Sequence, residues 1–230
     1  MQVDLARRTV AEGVGTALLL ATVVGSGIMG ERLAGGNVAV ALLANTLATG
    51  AALVALITTF GAVSGAHFNP AVTLASASQG ELRWREVPAY VFAQTAGAFV
   101  GVAVADLMFE LPAFSASRHV RTGFAQWLSE VVATFGLLAV IWGCSRRRPS
   151  TVPFAVGAYI TAAYWFTSST SFANPAVTLA RVATDTFAGI RPTDVPGFVV
   201  AQLVGAALAT ATFRWLVPAL PAADSTEGSS

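Results

Sequence analysis

Two copies of one heptapeptide carry the polar side chains best suited to contact a solute. The sequence Asn-Pro-Ala-Val-Thr-Leu-Ala occupies positions 69–75 and again positions 174–180. Asparagine is a favoured helix N-cap and proline suits the first helical position, so each copy predicts the start of a helix. The free N–H groups at such a start carry about half a positive charge, and an asparagine amide can donate to a passing oxygen. The copies predict a site that binds polar oxygens and repels cations, formed by Asn69, Pro70, Ala71, Asn174, Pro175 and Ala176.

Catalysis and metal binding find little support among the other residues. The chain has one cysteine, Cys144, so it cannot form an internal disulfide, and it has no CxxC or CxxH spacing. We find no nucleophile–base set and no glycine-rich phosphate loop. The net charge of +1 offers no basic patch for nucleic acid. We therefore expect no enzyme activity, no cofactor, no metal site and no nucleic-acid partner.

The composition indicates that the chain lies in a lipid bilayer. Hydrophobic residues make up 55% of the sequence and charged residues 11%, whereas an ordinary soluble domain has about 25% charged residues. A helix needs about 20 apolar residues to cross the hydrocarbon core. The segments that qualify are Val10–Gly30, Val38–Phe60, Val87–Phe109, Phe124–Gly143, Thr151–Ser168 and Val195–Val217. We therefore expect an all-α membrane protein with six transmembrane helices.

Two further apolar segments, Asn69–Gln79 and Asn174–Thr184, are too short to cross, since about 11 residues span roughly 16 Å as a helix. They belong to an internal repeat that also pairs Glu12 with Glu130. Three full spans per repeat, an odd number, make the second copy inverted, so the two short segments face each other near the midplane. We expect the repeats to cover 8–111 and 124–218, followed by a disordered polar tail at 222–230.

The arginines predict the orientation of the chain in the membrane. Cytoplasmic loops carry an excess of basic residues. With the N-terminus inside, that side receives Arg7, Arg8 and the cluster Arg146–Arg148. We therefore expect both termini to be cytoplasmic and the protein to lie in the inner (cell) membrane.

From Glu12-Gly13-Val14-Gly15-Thr16 to about Val217 the chain resembles the aquaporin superfamily (major intrinsic proteins). The most specific stretch is 64–73, Ser-Gly-Ala-His-Phe-Asn-Pro-Ala-Val-Thr. The resemblance implies two re-entrant half-helices among the six spans, a single channel domain over 1–230 with one pore per subunit, and a homotetramer. It implies that Glu12 and Glu130 anchor the re-entrant loops, with proton coupling as the alternative. Pore-lining carbonyls are implied at Gly65, Ala66, His67, Thr170 and Phe172. We interpret His67 as a structural histidine, with a pH gate as the alternative.

The resemblance also implies where the selectivity filter lies. Most aquaporins have an arginine three residues after the second motif asparagine, and here that residue is Val177. Spacing from the two asparagines adds Thr49, Ala162 and Ser171. These four side chains are small and uncharged, so we expect a wide, arginine-free filter. In the alternative, Phe172 or Arg181 folds in and refills the gap.

The expected function is passive conduction of small neutral solutes. The small filter resembles that of aquaglyceroporin-like channels associated with bacterial arsenic-resistance operons, which implies arsenous acid and methylated arsenicals as solutes beside glycerol, urea and water. Two alternatives remain. One is a general glycerol and water facilitator without an arsenic role. The other is an ion-coupled secondary transporter, which would need ionisable side chains in the pore ring.

Overall fold

A computed structural model of the chain describes residues 3–217. Eight α-helices follow one another within this part: α1 Leu5–Leu33, α2 Val38–Ser64, α3 Pro70–Ser78, α4 Val87–Met108, α5 Phe124–Ser145, α6 Val152–Phe166, α7 Pro175–Ala180 and α8 Val195–Leu216. Single 3₁₀ turns lie at Trp84–Glu86, Pro149–Thr151, Arg181–Ala183 and Pro192–Asp194. The predicted all-α fold with two half-length helices is confirmed. The tail predicted at 222–230 lies outside the described residues.

Five of the helices are long and apolar enough to cross a membrane, namely α1, α2, α4, α5 and α8. The sixth predicted span is shorter than expected. Helix α6 has 15 residues, which is roughly 22 Å of helix. It begins after a 3₁₀ turn and ends at Phe166, where the polar run from Thr167 to Ser171 follows. Those side chains favour local hydrogen bonds over helix continuation.

Close backbone contacts at glycines hold the long helices in pairs. A Cβ added at Gly97 of α4 would lie 2.1 Å from the carbonyl oxygen of Gly13 in α1. The equivalent Cβ at Gly205 of α8 would lie 2.4 Å from the carbonyl oxygen of Val131 in α5. Helices in lipid associate through the van der Waals contacts of such close approach, because the hydrophobic effect does not drive helix association within the bilayer. The same pairing in both halves follows from the internal repeat.

The contact between α2 and α6 joins the two halves and fixes the rotation of α6. A Cβ at Gly50 would lie 2.0 Å from the Thr161 hydroxyl oxygen, and one at Gly157 would lie 2.8 Å from the Gly50 carbonyl oxygen. Gly157 and Thr161 therefore face α2. Because each residue turns an α-helix by about 100°, Tyr164 lies close to the direction of Gly157, whereas Ala162 lies well away from it.

Candidate functional site

The two short helices begin side by side, and their N-cap asparagines cross-link the loops that precede them. The Asn69 side-chain oxygen accepts from the N–H of Ala71, at 2.9 Å, and its amide donates to the carbonyl of Ala173, at 2.7 Å. The Asn174 side-chain oxygen accepts from the backbone of α7, and its amide donates to the carbonyl of Phe68, at 2.8 Å. Each amide has two hydrogens, so one hydrogen of each asparagine is left to meet a solute.

The first re-entrant loop is held by Glu12, which is fully buried. Its carboxylate accepts from the backbone N–H of His67, at 2.9 Å, and of Phe68, at 2.7 Å. It also accepts from the Ser64 hydroxyl and from the Gln94 amide. Such charge-assisted hydrogen bonds are stronger than neutral ones. They fix loop backbone N–H groups that have no partner within a helix.

The second loop repeats this arrangement around Glu130, which is also fully buried. The carboxylate accepts from the N–H of Phe172, at 2.9 Å, and of Ala173, at 2.8 Å. The Ser169 hydroxyl and the Gln202 amide complete the set. All four donors to each carboxylate come from the same half of the chain as that carboxylate. Neither glutamate is among the residues that line the cavity described next. The contacts are those of a loop anchor rather than of a proton carrier.

A cavity of about 110 Å³ runs past both motif asparagines. It is lined by side chains and backbone from both repeats. The predicted site residues in its wall are Thr49, Gly65, Ala66, His67, Asn69, Ser171, Phe172, Asn174 and Val177. Thr170 and Ala162 are not in the wall. The apolar residues of the wall include Leu53, Ile57, Val152, Val156 and Ile160.

Left-handed backbone turns the loops toward this cavity. Gly65 ends α2 with φ of 89°, and Ala66 follows with φ of 50°. In the second loop Thr170 and Ser171 have φ of 60° and 50°. Residues other than glycine adopt this region infrequently, and clusters of them are typical of functional sites. Thr170 lies apart from the cavity, and its hydroxyl lies 3.4 Å from the Arg121 guanidinium.

His67 is one of the residues that line this cavity. Its Nδ1 lies 3.1 Å from the Thr73 hydroxyl, and its ring centre lies 5.6 Å from that of Tyr90. Thr73 also accepts from the Gln94 amide that donates to Glu12. The histidine is thus part of the network that fixes the first loop.

The expectation that Ala162 contributes to the filter is wrong. Ala162 is exposed on the outer face of α6, and Tyr164 lines the cavity instead. Tyr164 is 5% exposed, and its hydroxyl oxygen lies 3.4 Å from that of Thr49. The contact of Gly50 with Gly157 sets this rotation of α6, and the two-residue offset between Ala162 and Tyr164 turns the helix by about 200°.

The filter is expected from the sequence to be free of arginine, but the wall of this cavity contains one. Arg181, one turn beyond Val177, lines the cavity and is 3% exposed. Its guanidinium carbon lies 3.5 Å from the centre of the Phe172 ring. Both residues that could refill the gap are therefore present in the wall. Helix α7 ends at Ala180 and a 3₁₀ turn begins at Arg181, so the side chain lies over the loop rather than extending the helix face.

Comparison with known proteins identifies the family. A family profile described as major intrinsic protein matches residues 1–170. The chain is 61% identical to aquaglyceroporin AqpS of Rhizobium meliloti over 219 residues, which cover 95% of this chain and 94% of that protein. The chain belongs to the major intrinsic protein family. Another member, aquaporin AqpM of Methanothermobacter marburgensis, is 32% identical over 244 residues, covering 93% of this chain and 98% of that one.

The fold of this major intrinsic protein agrees with that of a solved relative. The X-ray structure of the aquaglyceroporin from Plasmodium falciparum matches with a TM-score of 0.72 at 22% identity, over 94% of this chain and 98% of that one. Major intrinsic proteins are channels and not enzymes. The chain is thus a multi-pass membrane channel for small neutral solutes.

In this major intrinsic protein, sequence reasoning missed part of the pore wall. Val152, Val156, Ile160 and Tyr164 recur every four residues on α6 and all line the cavity. This spacing puts them on one helical face, and it was available in the sequence. Arg121, which is buried behind the filter, gave no comparable signal because it lies in an irregular loop.

Proposed function

We propose that the chain is a passive channel for glycerol, urea and water that also conducts arsenous acid and methylated arsenicals. One observation carries the proposal: the cavity is lined both by apolar helix side chains and by residues with hydroxyl, amide and loop carbonyl groups. Arsenous acid is a neutral trihydroxy molecule, similar in shape to a polyol. It can exchange its hydration for the polar groups of the wall, while the methyl face of a methylated arsenical can lie against the apolar side chains.

The composition of the wall supports passive conduction over ion coupling. The side chains able to carry a charge near neutral pH among the described residues that line the cavity are His67 and Arg181, and neither is a carboxylate that could bind a driving cation. The two half-helix N-termini meet at the motif asparagines, and their partial positive charges oppose cations. A coupled transporter needs a group in the pathway that binds the driving ion.

We also propose a homotetramer with both termini in the cytoplasm. Large apolar side chains such as Leu18, Leu47, Phe92 and Val100 are exposed on the helix surfaces of one subunit. Lipid and neighbouring subunits would cover them. The cluster Arg146–Arg148 after α5 supports the orientation.

The test is solute flux in liposomes that contain the purified protein. Vesicles should swell in glycerol and urea gradients and take up arsenous acid, and a protonophore should leave these rates unchanged. Accumulation of solute against its gradient would contradict the proposal.

A matched pair of variants on α6 ties the flux to the cavity. Val156→Trp puts a large ring into the cavity wall, because Val156 is buried there, and it should abolish solute flux. Ala158→Trp makes a similar change on the exposed face of the same helix and should leave the flux unchanged. If Val156→Trp conducts like the wild type, the solute does not use this cavity.

A further inference from the structure

In addition to the motif asparagines and His67, four polar side chains from separate segments line the cavity. They are Thr49 of α2, Tyr164 of α6, Ser171 of the second loop and Arg181 of the turn after α7. We propose that Arg181 is the filter cation of this channel, displaced by one helical turn, and that with Ser171 it binds the hydroxyl oxygens of neutral solutes that have at least two hydroxyls. This inference rests on the proposed channel function and assigns its specificity.

The Arg181 side chain is fixed along its length, which aims its outer end. Its Nε donates to the carbonyl of Ala188, and its guanidinium carbon lies over the Phe172 ring, 3.5 Å from the ring centre. The backbone carbonyl of Arg181 accepts from the N–H of Ile190, at 3.3 Å. Within residues 3–217, its terminal amino groups donate no hydrogen bond to the protein. Because Arg181 lines the cavity, these amino groups are available to a solute.

Arg181 forms no salt bridge in the described part of the chain. None of the salt bridges there includes Arg181 or Arg121. The Arg121 guanidinium also contacts Phe172, at 4.9 Å from the ring centre, and burial lowers its pKa to about 10. It therefore remains charged at neutral pH. A buried cation without a salt-bridge partner is unfavourable for stability. Arg181 is the one of the two that lines the cavity, which indicates that its charge has a role in the pathway.

Ser171 supplies the second, independent observation. Its hydroxyl is buried, lies in the cavity wall and has no hydrogen-bond partner among the described residues. Buried hydroxyls normally have a partner. The arginine fork offers two parallel donors, and the serine hydroxyl can donate or accept. A solute with two hydroxyl oxygens on one side would satisfy both groups at once.

The displacement explains how one pore combines width with positive charge. Val177 leaves space beside the second asparagine. Arg181 follows four residues later, which corresponds to a rise of about 6 Å along a helix axis. The cation thus lies beyond Val177 in the direction away from Asn174. A bulky neutral solute can pass Val177 and still meet a cation that opposes ions.

The experiment compares Arg181→Leu, Arg181→Lys and Ser171→Ala in liposomes. Sodium leak and the ratio of glycerol to acetamide permeability are measured, since acetamide has no hydroxyl. We expect Arg181→Leu to increase sodium leak at least roughly tenfold, because removing a unit charge a few ångströms from the path changes the barrier strongly. Arg181→Lys should keep sodium out, because it keeps the charge.

The glycerol-to-acetamide permeability ratio distinguishes the hydrogen bonds of the Arg181 guanidinium group from the effect of its charge. Arg181→Lys and Ser171→Ala should each lower the glycerol-to-acetamide ratio about threefold to tenfold, as expected for one lost hydrogen bond. The control is Arg32→Leu, which changes an exposed arginine outside the cavity and should alter neither quantity. If Arg181→Leu does not fold, Arg181→Lys and Ser171→Ala decide the question.

Two results would count against the inference in different ways. If the wild type conducts glycerol but the variants keep its sodium exclusion and its solute ratio, Arg181 is not the filter cation, and the proposed channel function stands. If wild-type vesicles do not swell in glycerol or urea, the proposed function fails, and this inference fails with it.

Discussion

The Tyr164 hydroxyl oxygen lies 3.4 Å from the Thr49 hydroxyl oxygen, where α6 meets α2 in the wall of the pore. By the family resemblance, water channels usually place an aromatic residue at the position of Thr49. In this chain the small residue is on α2 and the aromatic ring is on α6. The wall of the cavity therefore contains an aromatic ring, but the ring comes from a different helix.

Removing this ring should widen the pore. We expect Tyr164→Ala to raise the permeability of erythritol relative to urea at least severalfold, because a buried aromatic side chain fills a large part of a narrow wall. Tyr164→Phe should keep the wild-type ratio, since the ring remains. Stopped-flow swelling of liposomes measures both. Trp165→Ala, at the neighbouring half-exposed aromatic residue, should have no effect, and equal ratios in all variants would show that Tyr164 does not limit the pore.

Filling the space beside Val177 should exclude methylated arsenicals. Val177→Arg adds a long five-donor group, and Thr49→Phe adds a ring to the same wall. We expect each change to reduce uptake of methylated arsenicals about tenfold or more and uptake of arsenous acid less, while water permeation stays nearly intact because water is small. Uptake is compared at matched expression in cells that lack their own channels. Thr58→Phe, on the exposed face of α2, is the control, and unchanged arsenical uptake in both pore variants would contradict the proposal.

The two loop anchors should make equal contributions to stability. In Glu12→Gln and in Glu130→Gln, the amide replaces one acceptor oxygen by a donor and removes the charge that holds four hydrogen bonds. We expect each variant to lose about 2 to 4 kcal/mol of stability, read as a lower thermal midpoint in detergent. Glu31→Gln, an exposed carboxylate on α1, should leave the midpoint unchanged. A much smaller loss for one anchor than for the other would contradict the structural equivalence of the two halves.

The same substitution at two glycines should have opposite effects. Gly97→Ala places a Cβ 2.1 Å from the Gly13 carbonyl oxygen, so α1 and α4 must separate and the thermal midpoint should fall. Gly61→Ala, also in a long helix, has no atom within 4 Å of the added Cβ. It should raise stability by about 0.5 to 1 kcal/mol, because alanine is the better helix former. Equal shifts at the two positions would show that the α1–α4 contact is not tight.

Much of the fold could be predicted because membrane spans and half-length segments have strong sequence signals. The repeated motif predicted both N-caps, Asn69 and Asn174, and Glu12 and Glu130 could be paired by repeat equivalence. The start of each half-helix follows from local chemistry, which a single sequence contains. Helix α6 was harder to predict because a 3₁₀ turn and a polar run shorten it at both ends.

The filter could be predicted only in part because it depends on helix rotation. Counting residues back from Asn174 gave Ala162, and this count assumes a fixed path between α6 and the second motif. The path is instead set by the packing of Gly157 against Gly50, a contact between distant parts of the chain. The sequence indicates that Arg181 could fill the space left by Val177. Its position over Phe172 cannot be predicted in this way, because it depends on the 3₁₀ turn and on the Ala188 carbonyl.

The cross-link between the two asparagine loops has a consequence for synthesis. The Asn69 amide donates to a carbonyl 104 positions later in the chain, and the Asn174 amide donates to one 106 positions earlier. When the first repeat enters the bilayer, its asparagine amide and the Phe68 carbonyl still lack these partners. A polar group without a partner is costly in hydrocarbon, so the first re-entrant segment stays incomplete until the ribosome has made the second. The first half therefore enters the membrane before its loop hydrogen bonds can form, and the pore is completed only late in translation.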